Sequence, residues 1–411
     1  MRVAIVHYTA PPVVGGVEQI VGEQASLLAR HGCDVVVVAG RGSQSAGSSF
    51  RGIPLLAGTH PRQRSLSSAL DKGIVPKAFI KTREAITREL VEAFEGVDAV
   101  LAHNAMTLHF NVPLTAALAD LAAGSLAGRI VAWTHDIAAV NPQYEPEMHL
   151  GPPWDMYRRP QPGIRYVTIS DTRRQELRDL WRREVSGAIP EVTVIPNGID
   201  PIATLAIPKH LARVLDLPAI SMSFPILLCP VRITARKNLE LAIETLAELC
   251  RRGLDPVLLV TGPVWGHHPA RSREYLASLD ELASRRDVTD RVHFLARALN
   301  RPLSQNEVSA LYTMSTVLLL PSRSEGFGLP LLEAGLHRLP IVASDLPVFR
   351  EIVGDGAWLF PRDARAGRVA DLIEEAAPAT AFRSRVLRDY SWESIYEQRL
   401  RPLLARICGK A

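Results

Sequence analysis

The feature that most constrains this chain is a series of short apolar runs that alternate with helix-like patterns. Residues 3–8 and 34–40 are mostly apolar runs of strand length, and the apolar positions 17, 20, 21, 27 and 28 between them fall on one helical stripe. A strand that is apolar on both faces has to be covered on both faces, as in a parallel sheet between layers of helices. The pattern therefore predicts an α/β fold built from βαβ units.

The same pattern recurs along the chain, which is too long for one ordinary hydrophobic core. A proline-rich break near residues 198–224 separates two βαβ-rich halves, and a last helix starts near Ser391. Segments 40–49 and 141–163 are predicted to be loops, the second a structured loop near a site. The other strand candidates are 99–102, 129–133, 165–170, 192–195, 225–233, 256–261, 292–295, 316–320, 339–343 and 356–360.

Composition excludes several classes of protein. The chain is 47% hydrophobic and 22% charged with a net charge of +4, which is typical of a globular protein and gives no reason to expect nucleic acid as a partner. Neither a signal peptide nor a run of about 18 apolar residues is found, so no membrane span is predicted. The cysteines form no C-x-x-C pair, so reduced thiols in the cytoplasm are expected at Cys33, Cys229, Cys250 and Cys408.

The segment from Glu325 to Glu333 (EGFGLPLLE) is the strongest candidate for a binding site, because it follows an apolar strand and doubly wound sheets bind ligands at the carboxyl ends of strands. Gly326 and Gly328 let the backbone approach a ligand closely. Pro330 suits the first turn of a helix whose N–H groups favour an anion such as a diphosphate. The two carboxylates can accept hydrogen bonds from sugar and ribose hydroxyls. A solvated helix-start glutamate stays open as an alternative for Glu333.

A second cluster lies at residues 231–238 (VRITARKN), again between a strand and a helix. Arg232, Arg236 and Lys237 place two or three cations beside the helix start, where they can hold a diphosphate and stabilise its charge as it leaves. Asn238 is expected to cap that helix. An ordinary basic surface loop is the alternative.

Polar residues also follow two strands of the first half. His103 and Asn104 come after one strand, and His135 and Asp136 after another. A single histidine at a strand end is most often structural, but two at the mouth of one sheet favour a site for sugar or acceptor. Asp136 is expected to orient His135.

Rival chemistries lack their sequence signatures. The Gly-Gly loop at Gly15 and Gly16 is not a G-x-G-x-x-G fingerprint, which argues against a nicotinamide dehydrogenase. Taken alone, this loop is also explained by an ordinary turn without a ligand. A P-loop, a G-x-S-x-G elbow and an H-E-x-x-H zinc pair are absent from the sequence. D-x-D is absent too, so no metal is expected and cationic side chains would neutralise a diphosphate.

Five motifs together resemble the retaining GT-B glycosyltransferases of family 4. The resemblance implies two Rossmann-like domains facing each other across a cleft: residues 1–203 bind the acceptor, 204–388 bind the donor, and a helix at 389–411 returns to the first domain. The motifs are GGVE at 15–18, THD at 134–136, VIPNGID at 194–200, R-x4-KN at 232–238 and E-x7-E at 325–333.

The resemblance also implies roles for individual side chains. Arg232 and Lys237 would hold the donor diphosphate, Glu325 the transferred sugar and Glu333 the ribose hydroxyls. His135 would contact the sugar ring near its 6-position. Four of these residues, Arg232, Lys237, Glu325 and His135, are therefore the expected catalytic group.

Backbone groups would complete the donor site. Gly15 and Gly16 would bind the donor, with Gly16 approaching its phosphate, and residues 260–262 and 295–299 would flank the base. Ala296 stands where the family pattern has glycine, which leaves the identity of the base open. Backbone amides supporting sugar and phosphate would come from Gly326, Phe327, Gly328 and Leu329.

The implied activity is transfer of a hexosyl unit of the glucose, mannose or N-acetylglucosamine class from a UDP- or GDP-sugar to a hydroxyl. The acceptor would be a carbohydrate, a lipid-linked molecule or a small molecule, as in bacterial glycan, glycolipid or glycoside synthesis. Retention is expected, with the leaving phosphate as the base and no metal or other cofactor. A phosphorylase, a sugar-nucleotide epimerase and a non-catalytic sugar-nucleotide-binding protein stay open as alternatives, and the oligomeric state is open.

Residues 173–183 (RRQELRDLWRR) raise the question of membrane contact. Five arginines lie beside Leu177, Leu180 and Trp181, a pattern that fits a helix on the inner face of a membrane near a lipid-linked acceptor. The alternative is a packing helix with a basic face toward solvent.

Overall fold

A computed structural model describes residues 1–44, 47–262 and 269–409, without the side chains of residues 217–218 and 269–272. The described chain divides into two compact units, Met1–Gly198 with Trp392–Ala411, and Ile199–Ser391. The sequence-based boundaries, at 203/204 and 388/389, lie a few residues from these. Each unit is an α/β fold around a parallel sheet, which confirms the predicted fold class.

Buried apolar runs form the parallel strands of both sheets. In the first unit the order is β3-β2-β1-β4-β5-β6-β7, with β1 (Arg2–His7), β2 (Asp34–Ala39), β3 (Ser48–Gly52), β4 (Ala99–His103), β5 (Ile130–Thr134), β6 (Ile164–Thr168) and β7 (Val192–Val194). In the second unit it is β10-β9-β8-β11-β12-β13, with β8 (Ile226–Cys229), β9 (Val257–Val260), β10 (Val292–Phe294), β11 (Val317–Leu320), β12 (Ile341–Ser344) and β13 (Trp358–Phe360).

Helices connect successive strands, as a parallel sheet requires. The first unit contains α1 (Gly16–Arg30), α2 (Pro61–Leu70), α3 (Ala78–Ala93), α4 (Val112–Ala123) and α5 (Asp171–Glu184). The second contains α6 (Pro201–Thr204), α7 (Lys209–Val214), α8 (Leu217–Met222), α9 (Leu239–Arg251), α10 (Pro269–Arg285), α11 (Leu295–Ala298), α12 (Gln305–Met314), α13 (Leu329–Leu336), α14 (Pro347–Val353), α15 (Ala366–Ala376) and α16 (Ala381–Asp389). The last segment comprises α17 (Trp392–Ile395), a π-helical turn (Tyr396–Leu400) and α18 (Arg401–Ile407).

Both faces of the first sheet are buried because side chains alternate along each strand. Val3 and Ile5 of β1 belong to one apolar core, and Ala4 and Val6 belong to another. The last segment packs into the first of these cores, and a Cβ at Gly198 would lie only 2.5 Å from the ring of Trp392. The final helix therefore belongs to the first unit, and the glycine of VIPNGID permits its close packing.

Two predictions about local structure were wrong. β3 begins at Ser48 inside the segment expected to be a loop; it is a polar edge strand without an apolar run, and Ser45 and Ala46 lie outside the described residues. The strand predicted at 225–233 ends at Cys229. The proline-rich break was placed correctly, since the boundary between the two units falls at Gly198, and its residues form α6 to α8, with Leu211 in the core of the second unit.

The basic segment 173–183 lies within α5, and its apolar face is not available to a lipid surface. Leu177, Leu180 and Trp181 are buried in the core of the first unit. Of the two alternatives, the burial of these residues supports a packing helix with an arginine-rich outer face, and contact of that outer face with a membrane stays a prediction. Within the described ranges, no helix is both long and apolar enough to cross a membrane.

Candidate functional site

Each sheet has a point where its strand order reverses, between β1 and β4 in the first unit and between β8 and β11 in the second. Ligands of doubly wound folds bind in the crevice at the carboxyl ends of these strands. We call these places the first-unit and second-unit switch points. The segments after β1 and β4, and those after β8 and β11, contain most of the residues singled out in the sequence.

At the second-unit switch point, Glu325 and Lys237 form an ion pair. Both side chains are only 10% exposed. The hydroxyl of Ser322 donates to Glu325 Oε1 at 2.7 Å, and Arg236 Nη1 lies 3.3 Å from Glu325 Oε2. The structure thus brings a predicted phosphate ligand and a predicted sugar ligand into direct contact. Lys237 holds Glu325 in place and is itself neutralised by it.

Arg232 differs from Lys237 because it is exposed, and within the described residues no ion pair is found for it. Its backbone lies against the end of β9, where a Cβ at Gly262 would be 1.9 Å from the oxygen of Val231. Gly262 therefore allows two neighbouring strand ends to approach one another. Among the described residues, Arg232 is thus a cation at this switch point without an ion-pair partner.

The turn after β11 has the backbone that the glycines predicted. Gly328 has φ of 123°, and a Cβ there would lie 2.9 Å from the Phe349 ring. α13 begins directly after it with Pro330 in its first turn, as expected. Phe327 and Leu329 are 53% and 63% exposed, so this turn presents backbone and apolar side chains to solvent.

Glu333 is oriented by a tyrosine that the sequence analysis missed. The buried Tyr312 hydroxyl donates to Glu333 Oε2 at 2.6 Å, and the Tyr312 ring stacks on His337 at 5.4 Å. Burial raises the pKa of Tyr312, and the adjacent Glu333 carboxylate raises it further. Tyr312 is therefore a permanent donor that leaves the second oxygen of Glu333 for another partner.

Asn238 does not cap α9 as predicted. Its backbone is left-handed, with φ of 54°, and its side chain forms no cap hydrogen bond. Its Oδ1 instead accepts from Arg323 at 3.1 Å, and the Arg323 backbone N–H donates to the carbonyl of Arg236. Asn238 thus ties the loop after β8 to the loop after β11.

At the first-unit switch point, His135 and His103 form part of a directional hydrogen-bond chain. His103 Nε2 donates to Gln24 Oε1 at 3.1 Å, so the neutral His103 ring accepts from His135 Nε2 at Nδ1, 2.9 Å away. His135 Nδ1 then accepts from Asn197 at 3.4 Å. Burial lowers the pKa of His103 well below its ordinary value and that of His135 to about 3, so both rings are neutral at neutral pH.

Asp136 does not orient His135, contrary to the prediction. Its carboxylate accepts from the backbone N–H of Ile137 and the side chain of Asn141, and lies 3.7 Å from Arg173. Asn104, in a left-handed conformation, holds this loop through Oδ1, which accepts from the backbone N–H of His135 at 2.9 Å. The aspartate therefore shapes the loop, whereas the histidine is oriented by other residues.

A pocket of about 750 Å³ opens at the first-unit switch point. His135, Asn104 and Gly16 line it, whereas His103 lies buried behind His135. Two further lining residues, His7 and Glu18, were missed as site residues. Glu18 stands in the quoted GGVE motif, and a Cβ at Gly15 would clash with its carboxylate, so the motif makes room for this side chain.

A separate cluster in the first unit brings together Asp71, His109 and Glu147, whose ligand atoms lie within 4.8 Å of one another. These residues have the donor types that bind divalent cations. The sequence analysis found no metal-binding pattern here, because the three residues come from distant segments. The expectation that the chain requires no metal stays a prediction.

Comparison with known proteins identifies two family matches. The model of Glycosyltransferase Family 4 matches residues 14–202, and that of glycosyl transferases group 1 matches residues 218–385. The first match contains the pocket residues Gly16, Asn104 and His135, and the second contains Arg232, Lys237, Glu325 and Glu333.

Similar individual proteins match over shorter segments. The serotype-specific mannosyltransferase WbdA of Escherichia coli is 35% identical over 100 residues, which are 24% of this chain and 10% of that protein. The alpha-D-kanosaminyltransferase of Streptomyces kanamyceticus is 30% identical over 163 residues, 39% of each chain. The sucrose-phosphate synthase structure from Thermosynechococcus elongatus aligns over 100% of both chains at 16% identity, with a TM-score of 0.38. The segments matched in the mannosyltransferase and the kanosaminyltransferase thus cover well under half of those two proteins. Because the two family models together account for most of the sequence, the chain belongs to the family 4 GT-B glycosyltransferases.

Proposed function

We propose that the protein transfers a hexosyl unit from a nucleoside-diphosphate sugar to a hydroxyl acceptor, with retention of anomeric configuration. The observation that carries the proposal is the second-unit switch point, where an exposed Arg232, the Lys237–Glu325 ion pair and the start of α13 lie on the two loops that flank the reversal of strand order. Cations, carboxylates and free backbone donors in one crevice suit a ligand that is both a diphosphate and a sugar.

The diphosphate would be held mainly by Arg232. Lys237 shares its charge with Glu325, so alone it offers little net charge to a dianion. Arg232, having no ion-pair partner among the described residues, supplies the uncompensated positive charge, and the backbone donors at α13 add to it. These groups would stabilise the negative charge that develops on the leaving nucleotide.

The two glutamates would bind hydroxyls rather than act as acid and base. Glu325 has Oε1 taken by Lys237 and Ser322 and Oε2 3.3 Å from the exposed Arg236, and Glu333 has one oxygen taken by Tyr312. A carboxylate oxygen retains capacity for a further donor, such as a sugar or ribose hydroxyl. We assign Glu325 to the transferred sugar and Glu333 to the ribose.

The acceptor would bind in the pocket of the first unit, beside His135. The neutral His135 cannot contribute a positive charge. We assign neither His135 nor any other side chain of this pocket as the general base. The leaving phosphate would therefore take the proton of the acceptor on the same face of the sugar, without a covalent intermediate and without a metal.

Two points of the proposal concern specificity and location. The names of the relatives, a mannosyltransferase and a kanosaminyltransferase, support a hexose-class donor. UDP and GDP both stay candidates for the nucleotide. The free state of Cys33, Cys229, Cys250 and Cys408 fits the proposed cytoplasmic location.

A binding screen followed by a turnover assay tests the proposal. UDP-, GDP- and ADP-sugars are compared by thermal shift, and the nucleotide released with acceptors is then measured for the sugar that binds. We expect one nucleotide class to raise the melting temperature and NMR of the product to show the anomer of the donor. An inverted anomer would exclude the retaining route, and a disaccharide cleaved by phosphate would indicate a phosphorylase instead.

A further inference from the structure

The wall of the first-unit pocket is negatively charged, although the protein as a whole is basic, with a pI near 8.9. Glu18 lines it, and among the described residues of its lining there is no lysine or arginine. His7 and His135 line it too, but burial lowers the pKa of both imidazoles, so they are neutral at neutral pH. The wall therefore carries one negative charge.

Glu18 has no cationic partner within the described chain, unlike Glu325. Its side chain is 16% exposed, it accepts from the hydroxyl of Thr9, and it lies 3.9 Å from the neutral His7 ring. The nearest feature that favours an anion is the start of α1, and Glu18 itself occupies the first turn of that helix. A phosphate group on an acceptor ring bound beside Glu18 would meet a carboxylate that already holds this position; the donor phosphate that Gly16 is predicted to approach is a different group.

Another part of the wall is apolar and aromatic. The rings of Tyr8 and Phe110 lie 6.0 Å apart at 54°, and Leu108 and Ile20 line the same pocket. The Tyr8 hydroxyl donates to the carbonyl of Leu108 at 3.1 Å, which fixes the ring. A rigid apolar surface with few polar groups suits a ligand that has a C–H face and a rim of hydroxyls.

We propose that this pocket selects a neutral or amine-bearing polyhydroxylated ring as acceptor and rejects a phosphorylated one, with Glu18 accepting a hydrogen bond from a hydroxyl or ammonium group of the ring. The inference rests on the proposed function, because it names the class of acceptor for that reaction. About 750 Å³ accommodates one or two sugar or cyclitol rings.

Ring binding is measured without donor, by saturation-transfer NMR, for glucose, glucosamine, glucose 6-phosphate, myo-inositol and myo-inositol 1-phosphate. We expect glucosamine and the neutral rings to bind and each phosphate to bind at least about tenfold more weakly than its parent ring, because like charges repel in a partly buried site. Glu18→Gln should weaken glucosamine about tenfold, since it removes a charge-assisted hydrogen bond, and weaken glucose less. The amide oxygen of the substituted side chain can still accept from Thr9, so the fold is expected to persist.

Glu84→Gln is the matched control, because it removes one negative charge from the exposed face of α3, away from this pocket. The control should leave all five affinities unchanged. Equal or tighter binding of either phosphate, an unchanged ratio of glucosamine to glucose affinity in Glu18→Gln, or no binding of any ring would overturn the inference. Failure of the proposed function shows separately, as an absence of nucleotide-sugar binding in the thermal-shift screen.

Discussion

The two switch points share a topology but present opposite chemistry. Both lie where a parallel sheet reverses its strand order, and both collect side chains from the segments after two neighbouring strands. The second unit places Arg232 and the Lys237–Glu325 pair there, whereas the first places neutral histidines and Glu18, which has no cationic partner in the part of the chain that the structure describes. Topology thus fixes where a ligand binds, and the few residues after each strand decide which ligand it is.

Burial explains the neutral character of the first-unit switch point. His103 is fully buried and His135 partly buried, and a charged imidazole would lose hydration there. In the second unit Lys237 is buried to a similar degree but stays paired with Glu325. A buried charge therefore survives only where the sequence supplies its partner.

The largest effect is expected from Arg232→Ala. If the uncompensated cation of the second-unit switch point stabilises the leaving diphosphate, the turnover number should fall by about 10²–10³. Arg236→Ala is the matched control, since Arg236 is also exposed but lies beside Glu325, and it should lose far less. Steady-state release of nucleotide measures both; similar losses in the two variants would mean that the basic loop acts only through its overall charge.

Glu325→Ala is expected to lower turnover by about 10² while leaving the affinity for the free nucleoside diphosphate within a few-fold of wild type. The physical reason is that Glu325 is assigned to the sugar, which the free nucleotide lacks. Calorimetry with the diphosphate and kinetics with the nucleotide sugar separate the two effects. Glu325→Gln is the control, because it removes the charge that pairs with Lys237 but keeps an oxygen that can accept a hydrogen bond. If the nucleotide affinity of Glu325→Ala falls as far as its turnover, Glu325 binds the nucleotide instead of the sugar.

Glu333→Ala should act on the other half of the donor, weakening the diphosphate by about tenfold through loss of a hydrogen bond between a charged group and ribose. Tyr312→Phe, which removes only the hydroxyl that orients Glu333, should weaken it a few-fold. Calorimetric titration of both variants checks the order. Wild-type affinity in Glu333→Ala would leave this carboxylate without the role given to it.

The smallest effect is a pH dependence of stability from the first-unit histidines. An unfolded histidine titrates near about 6.5, whereas the folded-state pKa of His135 is about 3. Between these values the unfolded chain binds more protons, so stability is full above the higher value and falls as the pH decreases toward the lower one. The melting temperature of wild type should therefore drop by a few degrees more than that of His135→Asn between pH 7 and pH 5; parallel curves would show that His135 is not held neutral.

Much of this comparison could be predicted from sequence, and its failures have physical reasons. The apolar runs predicted the central strands, and Gly328 and Pro330 predicted the turn into α13, because local residues determine local backbone geometry. β3 was missed because an edge strand needs no apolar run. Asp136 was misassigned, and Tyr312 and His7 were missed, because their partners lie elsewhere in the sequence and only folding brings them together.

The most direct test of the central claim is calorimetric titration of UDP and GDP into wild type, Arg232→Ala and Glu18→Gln. If Arg232 supplies the charge that holds the donor nucleotide and Glu18 does not contribute to it, one diphosphate should bind wild type and Glu18→Gln equally. The same diphosphate should bind Arg232→Ala at least about tenfold more weakly. Nucleotide binding that survives in Arg232→Ala but is lost in Glu18→Gln would reverse the assignment of the two sites, and no binding of either nucleotide to wild type would contradict it altogether.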